Sequence, residues 1–151
     1  MIRIRPHHLI DIIRNIGHER PIVPHPLGHA QHLVTQTLLE GNDHDIMLVA
    51  EADDLCISCT QLNDERQCQH KLSQLDVDVS KQKYNDALDH RLFRFLDMAP
   101  GSVISLGSFL VLIQSRFEEV VPLCTHPEED FDYRRDGLRK GLVRLKTISY
   151  R

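Results

Sequence analysis

The residues able to do chemistry in this chain cluster in Asp53-Asp54-Leu55-Cys56-Ile57-Ser58-Cys59, with a third thiol at Cys68. Two cysteines at C-x2-C spacing can close on one metal ion, because the two residues between them form a tight turn that presents both sulfurs to one point. The polar loop Thr60 to Gln67 is long enough to fold back and bring Cys68 to the same centre. Three thiolates at this spacing suit zinc or an iron–sulfur cluster, and both want a fourth ligand. His7, His8 and Asp11 are candidates, as are His70 and Cys124. Two other readings compete. The cysteines can be small core residues, or Cys56 and Cys59 a thioredoxin-like redox pair, which wants a helix opening at the motif. The polar, turn-like surroundings argue against both.

Other signals are weaker. His25, His29 and His32 stand four and three apart, which could form a second site for nickel, copper or zinc or simply a solvated face. No Gly-rich phosphate loop, nucleophile elbow, H-E-x-x-H sequence or paired-carboxylate signature is present.

The elements that must position these groups follow from local pattern. Ile2 and Ile4 alternate with Arg3 and Arg5 as in a short, half-buried strand. Pro6 suits a first helical turn, and the apolar residues from Leu9 to Ile16 predict a largely buried helix over 7–16, stopped by Gly17. On it His7 and His8 lie four and three residues before Asp11, so either can share its face. Three prolines make 18–27 a loop. A helix is expected over about 28–40, with Leu33, Leu38 and Leu39 inward and Gly41-Asn42 as terminator. Residues 45–50 read as a buried strand that delivers the chain into the cysteine turn. Helices are expected over about 79–96, with Tyr84, Leu88, Leu92, Phe95 and Leu96 on one side, and over 106–119. Between them lie a turn at Pro100-Gly101 and a short strand over 102–105. Pro122 breaks the pattern before a basic terminal helix.

Composition sets the class. At 151 residues, with 41% hydrophobic and 26% charged residues, the chain is long enough for one domain with its own core. No apolar run approaches a membrane span and no signal-like stretch opens the chain, so a cytoplasmic location with reduced thiols is expected. Charge is uneven: residues 134–151 carry a net +6 and the remainder −10. A basic tail can be a nucleic-acid footprint. An amphipathic helix on an acidic body explains it more simply, with Leu138, Leu142 and Leu145 as a stripe buried against the body or across a homodimer.

Arg5-Pro6-His7-His8-Leu9-Ile10, together with Asp53-Asp54-Leu55-Cys56-Ile57-Ser58-Cys59 and Cys68, resembles the domain-of-unknown-function 1284 family. The resemblance covers residues 1–105, leaving 106–151 as a helical C-terminal extension, and implies an iron–sulfur cluster without a settled activity. In that family the residue four after the first histidine is typically a fourth thiol; here it is Asp11. Aspartate can complete a three-thiolate site, Cys124 can restore a fourth sulfur, or the site can be lost. The expectation is therefore a single α+β domain that binds an iron–sulfur cluster or zinc through Cys56, Cys59 and Cys68. Three roles stay open: redox or cluster carriage, a structural zinc module serving an unidentified protein partner, and an enzyme with an open metal position near His7, His8 and Asp11.

Overall fold

The first strand, β1 (Ile2–Ile4), hands directly to helix α1 (Pro6–Gly17), with Pro6 at the first helical position, where its missing N–H costs nothing. α2 (Gln31–Leu39) follows a long loop and leads to β2 (Asp45–Leu48), which lies parallel to β1 with Ile2 opposite Ile46 and Ile4 opposite Leu48. A two-stranded ribbon, β3 (Lys71–Leu72) and β4 (Val79–Ser80), precedes α3 (Lys81–Leu96). β5 (Val103–Ser105) pairs antiparallel with β2, so the main sheet runs β1-β2-β5. Helices α4 (Leu106–Ser115), α5 (Phe117–Cys124) and α6 (Phe131–Ser149) complete the chain. The computed structural model describes residues 1–41, 44–72 and 79–149, with Ser149 described by its backbone alone. Over these residues the fold is α+β, in one compact domain, and no helix is long and apolar enough to cross a membrane.

One core serves the main sheet and helices α1 to α6. Ile4, Ile46 and Leu48 of the sheet pack with Leu9, Ile10, Ile12 and Ile13 of α1, and with Leu92, Phe109, Leu110 and Val121 from the later helices. Helices α4, α5 and α6 thus share the core of the preceding elements. Leu138, Leu142 and Leu145 are buried within the chain itself.

Several boundaries differ from the sequence expectation for identifiable reasons. Gly28 has φ +81° and its carbonyl accepts the Ser58 hydroxyl, so it belongs to a turn and α2 starts three residues later. The inward face of α2 is then Val34, Thr35 and Leu38, and Leu33 is exposed. Of the expected terminator, Asn42 lies outside the described residues, as does Arg151 of the basic tail. The helix expected over 106–119 is broken at Arg116, and Pro122 sits inside α5 rather than ending it. The carbonyl that Pro122 leaves without a partner, that of Glu118, is on an exposed residue and can be solvated.

Gly17 has a different role from the stop read in the sequence. It is helical, and the left-handed residue that ends α1 is Glu19, at φ 53°. A Cβ at Gly17 would fall 1.8 Å from the Gly137 carbonyl oxygen, and one at Gly141 would fall 1.9 Å from the Ile13 carbonyl oxygen. Helices α1 and α6 therefore meet backbone to backbone. In Gly141→Ala the alanine improves helix propensity by about 1 kcal/mol. The clash is with a carbonyl that cannot rotate away, and overpacking costs about 1–3 kcal/mol. A net loss of up to about 2 kcal/mol is expected from urea unfolding, whereas Val143→Ala, on the exposed face of α6, should stay within about 0.5 kcal/mol of the parent.

Candidate metal centre

β1 is an edge strand, and its outer N–H and C=O groups need partners. Because β2 runs parallel beside it, the chain leaving β2 emerges where β1 passes into α1. There Asp53 and Asp54 supply what a further strand would. The Asp54 carboxylate accepts the Arg3 N–H at 2.9 Å and its own N–H returns to the Arg3 carbonyl at 3.0 Å. The Asp53 carboxylate accepts the Arg5 N–H at 2.8 Å. Asp53 also closes the turn that follows, taking the Leu55 N–H on its side chain and the Cys56 N–H on its carbonyl, both at 3.0 Å. The Arg-Pro-His-His helix and the cysteine loop are thereby joined.

Each of the two adjacent histidines is gripped by its own carboxylate. His8 Nδ1 lies 2.7 Å from Asp53, which is fully buried. His7 Nδ1 lies 2.9 Å from both oxygens of Asp89, an almost fully buried residue of α3 that also accepts the His7 N–H and the Arg5 Nε. Burial, and then the neighbouring His8, push His7 below the ordinary histidine range. Burial alone would raise the Asp53 carboxyl, but the charge and hydrogen bond of His8 outweigh it and hold the pKa down at about 2. An ionised carboxylate only accepts, so each ring donates from Nδ1, and a ring in its neutral form presents a lone pair on Nε2. Among the described residues neither Nε2 has a hydrogen-bond partner.

The cysteines stand on the same cavity, which has a volume of about 590 Å³. Cys56, Cys59 and Cys68 line it, with His7 and His8 on the opposing helix. The loop after Cys59 does fold back, bridging Leu62 to Cys68, and the Cys68 N–H is held by Gln82 at 2.7 Å. The donor atoms of His8, Asp53 and Cys56 lie within 4.8 Å of one another; among the described residues no other three such side chains do. Cys59 and Cys68 thus share the cavity without joining that close group. Burial, and then the Asp53 charge, push the Cys56 thiol up to about 12. His25, His29 and His32 do not form a second close group of donors.

Asp11 and Cys124 also line the cavity, in a different setting. Asp11 accepts from Arg134 at 2.8 Å and lies 3.8 Å from Arg14. Arg134 and Arg14 are each paired in turn with Glu129, at 2.6 and 2.7 Å. Burial raises the Asp11 carboxyl, and the two arginines more than reverse this, to about 2. Cys124 is buried, 3.5 Å from Arg134 Nη1, and burial pushes its thiol up to about 11. His70 lies outside the cavity lining.

Asp89 had no sequence signal of its own, because a charge at one helix position reads as solvated. Asp53 was visible inside the cysteine motif, but only the structure joins it to His8. Its ionised form is worth roughly 2 kcal/mol, from a pKa of 3.8 unfolded to about 2 folded. That stability is present above pH 3.8 and is lost as pH falls through about 2. Asp53→Asn should therefore lower stability at neutral pH by an amount of this order and flatten the acid limb of the stability–pH curve, as followed by urea unfolding at a series of pH values. Comparison of the chain with family models, with curated proteins and with solved structures finds no match.

Proposed function

We propose that this chain is a metal-binding protein whose centre is held by Cys56, Cys59 and Cys68 with His8 as the fourth ligand through Nε2. The observation that carries this reading is that a ring nitrogen of His8 lies within 4.8 Å of the Cys56 sulfur, on a cavity that Cys59 and Cys68 also line and whose closure on one ion would bring those two thiols inward. Asp53 is not the ligand here. Its oxygens are taken by the Arg5 and Leu55 amides and by His8, so it orients the imidazole, as carboxylates commonly do for metal-bound histidines. Asp11 and Cys124 are committed to Arg134 and fit the ligand set less well.

Three thiolates and an imidazole suit both metals named by the sequence. The likeness to an iron–sulfur family favours a cluster in a redox or cluster-carrying role, supplying one-electron chemistry when bound. The histidine held by a buried carboxylate favours zinc. The open volume of the cavity, with His7 Nε2 beside it, supports a third reading as a metal-dependent enzyme. Thiol ligands of either kind need a reducing compartment, which accords with a cytoplasmic location.

Anaerobically purified protein should contain close to one equivalent of zinc or a stoichiometric cluster by elemental analysis. Thiolate-to-iron charge-transfer absorption identifies the cluster, and its absence alongside bound zinc identifies the zinc reading. Cys56→Ser, Cys59→Ser and Cys68→Ser should each lower occupancy at least tenfold under competition by a chelator, while Cys124→Ser leaves it near the parent value. Because Cys56 must lose a proton to bind, metal uptake should release protons and tighten as pH rises. A parent protein that takes up neither metal would reject the proposal.

A further inference from the structure

The cations around the cavity fall into two sets. Arg5, Arg14 and Arg134 are spent on carboxylates within the fold. Arg20, Lys81 and, on the exposed loop between Cys59 and Cys68, Arg66 also line the cavity, and among the described residues none of the three has an ion-pair partner. Arg20 passes 5.9 Å from the Tyr133 ring and helps form the wall shared with a neighbouring cavity of about 810 Å³, where Arg144 adds another cation without an ion pair among the described residues. The acids on these linings without an ion pair among the described residues, Glu128 and Glu19, are exposed.

His29 belongs to the same shared wall, and its Nδ1 is buried without a hydrogen-bond partner. Burial first, and then the charges of His25, His8 and Lys81, lower its pKa to about 4. A neutral ring in a field of cations remains, with a polar atom unmet. A second unmet group is on the central lining. His126 Nδ1 accepts the Glu128 N–H at 3.1 Å, so the neutral ring carries its proton on Nε2, and that atom is buried with no partner. Surplus positive charge with unsatisfied hydrogen-bonding groups along one cavity lining is the chemistry that recognises a small oxyanion.

We propose that the cavity binds a small-molecule oxyanion, a carboxylate or phosphate group, on Arg20 and Lys81, with the imidazole of His29 as hydrogen-bonding partner. The anion then lies on the wall facing His8 and the cysteine loop, within the volume that a substrate of the metal centre would occupy. The proposal deepens the function given above by naming the ligand's class, and rests on that reading for the ligand's role but not for its binding.

The test uses the full-length protein, first stripped of metal with a chelator and then reloaded with zinc. Inorganic phosphate and succinate are titrated separately at low salt, and the His29 ring proton resonances and the heat of binding are followed. At least one probe should produce saturable shifts at His29 in the metal-free protein. Arg20→Gln and Lys81→Gln should each weaken that binding about tenfold, whereas Arg20→Lys, which keeps the charge, retains most of it. Response to phosphate alone assigns a phosphate ligand, and response to succinate alone a carboxylate. Absence of saturable binding by both probes overturns the proposal, as does unchanged affinity in both glutamine variants. Because metal content is measured on the same samples, loss of the anion site and loss of the metal centre are read independently.

Discussion

Two enclosed carboxylates, Asp53 and Asp89, hold the segment from Arg5 to His8, and everything near the cavity depends on that grip. Burying an ion costs several kcal/mol unless its hydrogen bonds are met. Asp89 meets the cost with Arg5, the His7 amide and the His7 ring, and Asp53 with two amides and the His8 ring. The same bonds satisfy the Arg5 amide just past β1 and the His7 amide in the first turn of α1, so removing either acid would leave backbone donors stranded as well as a charge unpaired. Arg5 extends the frame through Asp86 to Gln82, which holds the Cys68 amide. One polar lattice therefore ties both histidines to the turn that carries Cys56 and to Cys68.

A second constraint comes from the helical side. The glycine contact between α1 and α6 brings the helices close enough for Asp11 and Arg14 on one to meet Arg134 on the other, with Glu129 between the arginines. This four-charge cluster forms the part of the cavity farthest from the loop motif in chain order. It also explains why Asp11 fits poorly as a ligand. A carboxylate paired with a mostly buried guanidinium has little charge left to offer a metal, and Cys124 is held by the same arginine.

Much of this was legible in the sequence, for a common physical reason. The alternation at Ile2 and Ile4, the apolar periodicity of α1 and the leucine stripe of α6 are local patterns, and burial of each needs no knowledge of its partner. The cysteine spacing and the two histidines behind Arg-Pro are likewise local, because a turn and a helix start fix where such side chains point. The spacing of Leu138, Leu142 and Leu145 determined that this face of α6 would be covered, though not by what.

Tertiary structure decided the rest. Whether Asp89 is a surface charge or the anchor of His7 depends on α3 lying across the start of α1, some eighty residues away in the chain, and no local pattern records that. Gly17 reads as a helix stop until α6 is placed against it, when the missing Cβ proves to be space for a backbone. Leu33 reads as core until Gly28 takes a left-handed turn and shifts the start of α2. The sequence by itself determined β1, β2, α1 and α6 and the chemistry-bearing residue types, but not the β3–β4 ribbon or the break between α4 and α5. Only the packing decided which carboxylate serves which histidine and which cations remain unpaired, because electrostatic partnership is set by distance in space and burial, neither of which chain order encodes.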